Sequence, residues 1–398
     1  MTLKILQNNS IKKSIFKCIL NNGSMSIPSL AKILDISVPT MTKYVTELCN
    51  DGLLSDHGKI TTKEGRYPTS YGVNVDSFYF AGVDIRQFSI AIGLIDISGE
   101  FLALKRNEEF RFANTEESFH EVCNLVKEFI GETEKSQKIL RERIICMNVN
   151  ISGRVNSSTG YSYSNYNFGE TPLADRFTEE TGVDTIINND TRSMTYGEYT
   201  KCYRSTNKNL LFINVGWGIG MGVINEGQLL YGKSGYTGEI GHMNAFENGI
   251  MCHCGKRGCV ETEVSGLALH RQVVDRLKNG ESSYLSKKHS TGKDITINDI
   301  LNAIIEQEDL LCIEELEKMA YKLGRQIANI VNIFNPEVVV LGGILTATDE
   351  YLLLPVKSAI KKYSLSLLSR DTVIKLSTLK ESAGITGACL LARDTNLQ

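Results

Sequence analysis

Ten positions after His242, three cysteines fall within one short stretch, Cys252-His253-Cys254-Gly255-Lys256-Arg257-Gly258-Cys259. Three soft thiolates and one imidazole make the donor set of a closed tetrahedral zinc site, and four side chains that must meet at one point constrain the fold severely. Gly255 and Gly258 let the backbone double back so that the sulfurs face inward. Any one of these cysteines alone reads as a small buried turn residue. Clustered at this spacing, His242, Cys252, Cys254 and Cys259 are expected to hold a structural zinc ion. The other seven cysteines (Cys18, Cys49, Cys123, Cys146, Cys202, Cys312 and Cys389) follow no framework pattern and read as free core thiols of a reducing compartment.

The chain has 398 residues, more than one ordinary core accommodates, so two or three domains are expected. Its 42% hydrophobic and 22% charged content is that of a soluble globular protein. No apolar run approaches the ~20 residues that span a bilayer. The start, Met1-Thr2-Leu3-Lys4-Ile5, lacks the features of a signal peptide, and the cytoplasm is the expected compartment. The net charge of −3 is uneven: residues 1–72 hold nine basic and five acidic side chains, the remainder 34 basic and 41 acidic. A basic head on an acidic body points to a polyanionic partner for the head alone.

Ile11, Ile15, Phe16, Ile19 and Leu20 mark a first helix, which Asn22-Gly23 ends. Ser26 and Pro28 open a second helix through Leu30, Ala31 and Leu34, as N-cap and first-turn proline. After the turn at Asp35-Ile36-Ser37 a third helix carries Met41, Val45 and Leu48 inward and ends near Asn50-Asp51-Gly52. Helix, short turn and helix behind a packing helix is the helix-turn-helix plan. A polar hairpin around His57-Gly58, followed by residues 61–71, predicts a two-stranded wing. Ser37, Thr40, Thr42 and Lys43 are expected to approach bases or phosphates in the major groove. Arg66 is expected to enter the minor groove, whose negative potential favours arginine. The blander alternative is a three-helix protein-interaction module with solvated lysines. The modest basic excess predicts two heads on a two-fold-related site, hence a homodimer or homotetramer.

From Tyr79 onward strands alternate with helices. Strands are expected at 79–84, 89–96, 101–104, 144–149, 184–188, 210–215 and 337–341, and helices at 115–132, 312–332 and 384–393. Ile151-Ser152-Gly153-Arg154, Asn189-Asp190 and a glycine-rich loop from Gly216 to Gly222 sit at strand ends. This is an α/β pattern with its site in a cleft.

Those pieces, with Gly238-Glu239-Ile240-Gly241-His242, the cysteine cluster with Glu261, Asn335-Pro336-Glu337 and Gly342-Gly343, resemble the ROK family of repressors and sugar kinases over essentially the full length. The resemblance implies a winged helix-turn-helix at residues 1–74 followed by a two-lobed actin-like, sugar-kinase (ribonuclease H-like) fold at 76–398. The smaller lobe would take about 76–200 with the closing helix 384–398, and the larger lobe about 201–383 with the zinc. It implies a sugar in the cleft, bound by Gly153, Arg154, Asn189, Asp190, Glu239, His242 and Glu261. Carboxylates and amides at fixed positions suit a ring of hydroxyls that both donate and accept. His242 would give one ring nitrogen to zinc and turn the other toward the sugar. Asp190 also reads as a helix N-cap, and Glu239 and Glu261 as ordinary surface carboxylates.

In the family's kinases the residue matching Asp190 is the general base, and two glycine-containing loops cradle ATP. The first loop, Asp-x-Gly-x-Thr in the family, reads Asp84-Ile85-Arg86-Gln87-Phe88 here; in the second, Trp217 replaces a threonine. The resemblance therefore implies a sugar-responsive repressor without catalysis. The alternatives are an ATP-dependent sugar kinase with a DNA-binding head, and a zinc or thiol-redox sensor.

Overall fold

The computed structural model describes residue 6, residues 9–59 and residues 68–397. Helix α1 (Ser10–Asn22) starts where the Asn9 carboxamide accepts from the backbone N–H groups of Ile11 and Lys12, and stops at Gly23, whose φ is 79°. A two-residue strand β1 (Met25–Ser26) leads into α2 (Ile27–Leu34), capped by Ser26 with Pro28 in its first turn. Asp35, left-handed at φ 51°, turns the chain into α3 (Val38–Asn50), capped in turn by Ser37. Strands β2 (Leu54–Lys59) and β3 (Thr69–Val73) pair antiparallel, with β1 on the far side of β3. A two-stranded wing is therefore present, but His57 and Gly58, expected at its turn, lie within β2, where the pairing register shifts between Asp56 and Lys59. Arg66 lies outside the described residues.

The body repeats one plan twice. In the first lobe β4 (Tyr79–Ile85), β5 (Ile90–Asp96) and β6 (Phe101–Asn107) form an antiparallel meander. After α4 (Glu116–Gln137), β7 (Ile144–Ile151) runs parallel to β4. The chain then makes the small hairpin β8 (Val155–Asn156) and β9 (Tyr161–Ser162), passes through α5 (Leu173–Thr181), and adds β10 (Thr185–Asn189) parallel to β7. Helix α6 (Asp190–Glu198) crosses to the second lobe. There β11 (Leu210–Val215), β12 (Ile219–Asn225) and β13 (Gln228–Leu229) again form a meander. Helices α7 (Gly266–Lys278), α8 (Ser286–Ser290), α9 (Ile297–Gln307) and α10 (Leu310–Phe334) precede β14 (Val338–Gly342), parallel to β11. Helices α11 (Glu350–Tyr363) and α12 (Ser366–Asp371) then precede β15 (Val373–Leu376), parallel to β14. The closing helix α13 (Ala383–Leu397) returns to the first sheet, against β4 and α6. The buried runs of β4, β7, β11 and β14 are apolar throughout most of their length, as strands covered on both faces require.

One expectation needs correction. The stretch from Gly216 to Gly222 is a turn only as far as Gly218; Ile219 begins β12, antiparallel to β11. Gly220 and Gly222 are strand residues whose missing side chains make room for α6. A Cβ on Gly220 would lie 2.6 Å from the Thr191 hydroxyl, and one on Gly222 would overlap Thr195. These glycines serve helix packing.

The head is not hung on a loose linker. Ile15, Phe16, Ile19, Leu30, Met41, Val45 and Leu48 share one continuous core with Phe78, Phe80, Ala91 and Ile95 of the first lobe and Ile385, Cys389 and Leu390 of α13. Phe16 meets Phe78 edge to face, ring centroids 6.4 Å apart. Of the seven scattered cysteines, Cys18, Cys123, Cys146, Cys312 and Cys389 are buried, whereas Cys49 and Cys202 are half-buried.

Candidate functional site

The cysteine stretch folds back through the bridges Asn244 to Cys259 and Met251 to Arg257. Gly258 is indispensable to that fold: its φ is +73° and a Cβ would overlap the Phe246 carbonyl. His242 Nδ1 lies 3.6 Å from Cys252 Sγ, and Cys254 Sγ lies 3.6 Å from Cys259 Sγ. All four donor atoms lie within 4.8 Å of one another. A tetrahedron drawn around zinc with ordinary bond lengths has edges of about 3.5–3.8 Å; the two 3.6 Å separations match such edges, and the chemistry of the donor set fits that ion. The four residues form a candidate metal cluster. The other ring nitrogen of His242, Nε2, is 3.9 Å from Glu239 Oε2.

The remaining expected site residues line the strand ends beside it. Gly153 is left-handed at φ +88°, packed on Ser164, whose hydroxyl accepts from both the backbone N–H and Nε of Arg154 at 3.0 and 3.2 Å. The Asn189 carboxamide is already engaged. Its Nδ2 donates to the Gly153 carbonyl at 3.0 Å, and its Oδ1 caps α6 through the Arg192 N–H at 3.1 Å. Asn189 thus fixes the Gly153 loop. Asp190 Oδ1 accepts from the Thr191 N–H at 2.7 Å. Burial pushes the Asp190 carboxyl above its ordinary range, and burial does the same to Glu239, which Arg192 partly pulls back. Burial is the largest influence on Glu261 and acts to raise it, but the hydrogen bond and charge of His253, the Ile219 N–H and the charge of His242 together outweigh it and leave that carboxyl below its usual range. Burial lowers His242, favouring the neutral imidazole that a metal requires.

Two contributors escaped the sequence reading. His253 Nδ1 sits 2.9 Å from Glu261 Oε1, and His242, His253 and Glu261 form a second convergent group. Arg192, essentially fully buried, donates to the carbonyls of Gly235 and Val155, tying the loop before Glu239 to the β8–β9 hairpin. A cation two positions after Asn189-Asp190, on the first turn of a helix, was the available signal.

The two loops that match the ATP loops of the family's kinases are engaged by the chain's own groups. Arg86 Nε pairs with Asp84 at 2.8 Å and Nη2 donates to the Glu381 carbonyl at 2.6 Å. Asn150 donates to the other Asp84 oxygen at 3.0 Å. Phe88 packs against Trp217. Asn335 and Glu337 serve the fold: Asn335 is the left-handed cap of α10, and Glu337 accepts from the N–H groups of Lys208 and Asn209.

In the head, Ser37, Thr40, Thr42 and Lys43 all lie exposed on the N-terminal half of α3, beside exposed Ile33 and Val38. The hydroxyls of Ser37 and Thr40 bond each other at 2.8 Å, and that of Thr42 bonds the Val38 carbonyl. Lys12 is spent internally, in ion pairs with Glu47 and Asp51.

A winged helix-turn-helix fused to two duplicated α/β lobes, with polar strand ends facing the cleft, defines a DNA-binding head on a sugar-kinase-like body. The sequence profile of the ROK family matches residues 80–395, and that of winged helix-turn-helix DNA-binding domains matches residues 8–55. The chain belongs to the ROK family. It is 27% identical over 384 residues to the DNA-binding transcriptional dual regulator NagC of Escherichia coli K12, covering 96% of this chain and 91% of that one. A glucokinase of Halalkalibacterium halodurans is 27% identical over 319 residues, covering 79% of this chain and 95% of the kinase. Among solved structures, a ROK family transcriptional regulator, a homolog of the E. coli MLC protein, superposes with a TM-score of 0.79 at 26% identity, over 97% of this chain and 96% of that one.

Proposed function

We propose that the protein is a sugar-responsive transcriptional regulator, acting as a repressor of carbohydrate-utilisation genes. The winged helix binds operator DNA through Ser37, Thr40, Thr42, Lys43 and, on the wing, Arg66. A monosaccharide or its derivative binds in the cleft to Gly153, Arg154, Asp190, Glu239, His242 and Glu261, with Asn189 holding the Gly153 loop. The lobes divide as the family resemblance implies, at about residue 200, with α13 returning to the first. The single observation that carries this reading is the continuous core between the head and the first lobe. A ligand that changes the angle between lobes then necessarily moves a mounted head, and it alters DNA affinity if it prefers one arrangement.

A structural zinc on His242, Cys252, Cys254 and Cys259 fits the reading, holding His242 and Glu261 at the two ends of one rigid wall. Two heads are needed for a high-affinity site, so the working form is a homodimer or a homotetramer. The chain's own residues argue against catalysis. Arg86 stands where close phosphate approach needs glycine, and it neutralises Asp84 with its own charge.

A thermal-shift screen against glucose, xylose, N-acetylglucosamine and their phosphates tests the proposal, since a ligand that binds only the folded state raises Tm by mass action. The expected result is one sugar class that stabilises the wild type and leaves Glu239→Ala unmoved. The glucokinase among the relatives keeps a second reading open, with Asp190 as the general base of an ATP-dependent kinase. Steady ADP release with any of these sugars in a coupled assay establishes that reading and removes the first.

A further inference from the structure

The lobes also touch through side chains of the two loops that match the ATP loops of the family's kinases. Phe88, on the turn between β4 and β5, stands edge-on to Trp217, on the turn between β11 and β12, with ring centroids 5.4 Å apart and planes at 84°. Each partner is braced from within its own lobe. Arg111 donates to the Phe88 carbonyl at 2.8 Å and places its guanidinium 5.9 Å from the Phe88 ring centre. On the other side the N–H groups of Gly266 and Leu267 donate to the carbonyls of Gly216 and Trp217 at 2.8 and 3.0 Å, and His270 flanks the indole.

The turn that carries Trp217 leans directly on the candidate ligand site. Glu261 Oε2 accepts the Ile219 N–H at 3.2 Å, and a Cβ on Gly218 would lie 2.7 Å from the same oxygen. A ligand hydroxyl that took this Glu261 oxygen would share the acceptor that supports the turn. On the far side of the ring pair, the β4–β5 turn is fastened by Arg86 to the Glu381 carbonyl, just ahead of α13. Ala91 on β5, and Ile385, Cys389 and Leu390 on α13, belong to the core that also contains α1, α2 and α3. Packed groups run without a gap from Glu261 to the DNA-binding head.

We propose that Phe88 and Trp217 form an interlobe clasp that relays the occupancy of Glu261 to the winged helix. The proposal rests on the cleft being a sugar site. With Glu261 bonded to its turn the clasp holds one lobe angle; a ligand hydroxyl on Glu261 displaces the turn, parts the rings and frees the lobes to take the second angle. Coupling between distant sites requires such a two-state element biased by both. Trp217 is the chain's only tryptophan, so its fluorescence reports this turn, and the Phe88 variant separates the contribution of the clasp.

The test compares full-length wild type with Phe88→Leu, a change at an exposed ring that leaves the fold intact. Both are titrated with glucose, xylose, N-acetylglucosamine and N-acetylglucosamine 6-phosphate. Readouts are calorimetric sugar affinity, Trp217 emission, and affinity for a duplex that the wild type selects from a random-sequence pool. In the wild type the sugar that binds is expected to shift the emission and to change DNA affinity about tenfold or more. Phe88→Leu is expected to bind that sugar within about threefold of wild type, lose the emission change, and alter DNA affinity less than about twofold. If Phe88→Leu keeps the full DNA response, or if bound sugar leaves wild-type emission unchanged, the clasp is overturned while the sugar site stands. A wild type that binds none of the four, and neither glucose 6-phosphate nor a xylose phosphate, overturns both readings.

Discussion

At the scale of single residues, the cleft holds carboxylates at the expense of stability. Asp190 is the clearest case. Burial raises its pKa, Asp84 adds like-charge repulsion, and the Thr191 N–H and Arg86 only partly offset them. A carboxyl whose pKa is raised by folding binds its proton more tightly in the folded state, so stability falls as pH rises from about 4 through the raised value. Asp190→Asn should therefore raise Tm by roughly 2 °C at neutral pH, with the gain fading as pH approaches about 4, while sugar binding is lost. Scanning calorimetry at the two pH values checks this; a lower Tm at neutral pH would contradict it. Residues of this kind were legible in the sequence when their neighbours along the chain defined them. His242 with its three cysteines and Asn189-Asp190 needed no distant partner to be noticed. Arg86 was legible only as a misfit: its bond to the Glu381 carbonyl joins residues 295 positions apart, and no local pattern announces it. The engagement of the Asn189 carboxamide with Gly153 was hidden for the same reason.

At the scale of elements, α6 and α13 cross in close backbone contact beside the junction of the lobes. Gly197 faces the backbone of Ala383 and Gly387, and a Cβ on Gly387 would overlap the Ser193 carbonyl. Glu198, wholly buried at the end of α6, accepts from the Ser377 hydroxyl at 2.7 Å and from the N–H groups of Thr378 and Leu379 at 2.7 and 3.1 Å, anchoring the segment that enters α13. Gly387→Ala forces these helices apart. It should lower the urea midpoint by the equivalent of about 2–3 kcal/mol and broaden the sugar response, because the joint on which the lobes turn is then loose. An unchanged midpoint would mean that the helices slide at no cost. The strands β4–β7, β10, β11 and β14 and the helices α4, α10 and α13 were legible from apolar runs and turn signals, with ends moving by a few residues, whereas α5, α7, α8, α9, α11 and α12 were not; α4, expected to stop at 132, continues to Gln137. The stretch from Gly216 to Gly222 misled because a glycine demanded by a turn and a glycine demanded by a crossing helix look alike in sequence. Only Thr191 and Thr195, brought over by α6, tell them apart.

At the scale of the whole molecule, the proposed zinc ties stability to ligand response. His242 and Glu261 bracket the cysteine stretch, and His253 within it bonds Glu261. Cys254→Ser, or removal of zinc by a chelator, should lower Tm by several degrees and abolish the sugar-induced shift, while the proposed DNA-binding face of α3 keeps its geometry. Full sugar-dependent release of DNA by Cys254→Ser would show that the metal and the ligand site are independent. The two-lobed plan was legible only through the resemblance to the ROK family, and the seating of the head was not legible at all: Phe16 and Phe78 look like core residues of two separate domains until the fold brings their rings together.

That seating bears on how the protein must be handled. A cut near residue 75, the natural place to isolate the body, strips the cover from Phe78, Phe80, Ala91, Ile95 and Ile97, all buried in the intact chain. The fragment would carry a raw apolar face that monomeric proteins avoid. It would tend to stick to itself, and the particle size read from it by gel filtration or light scattering would describe the scar of the cut. Subunit number is a property to be measured on the uncut chain.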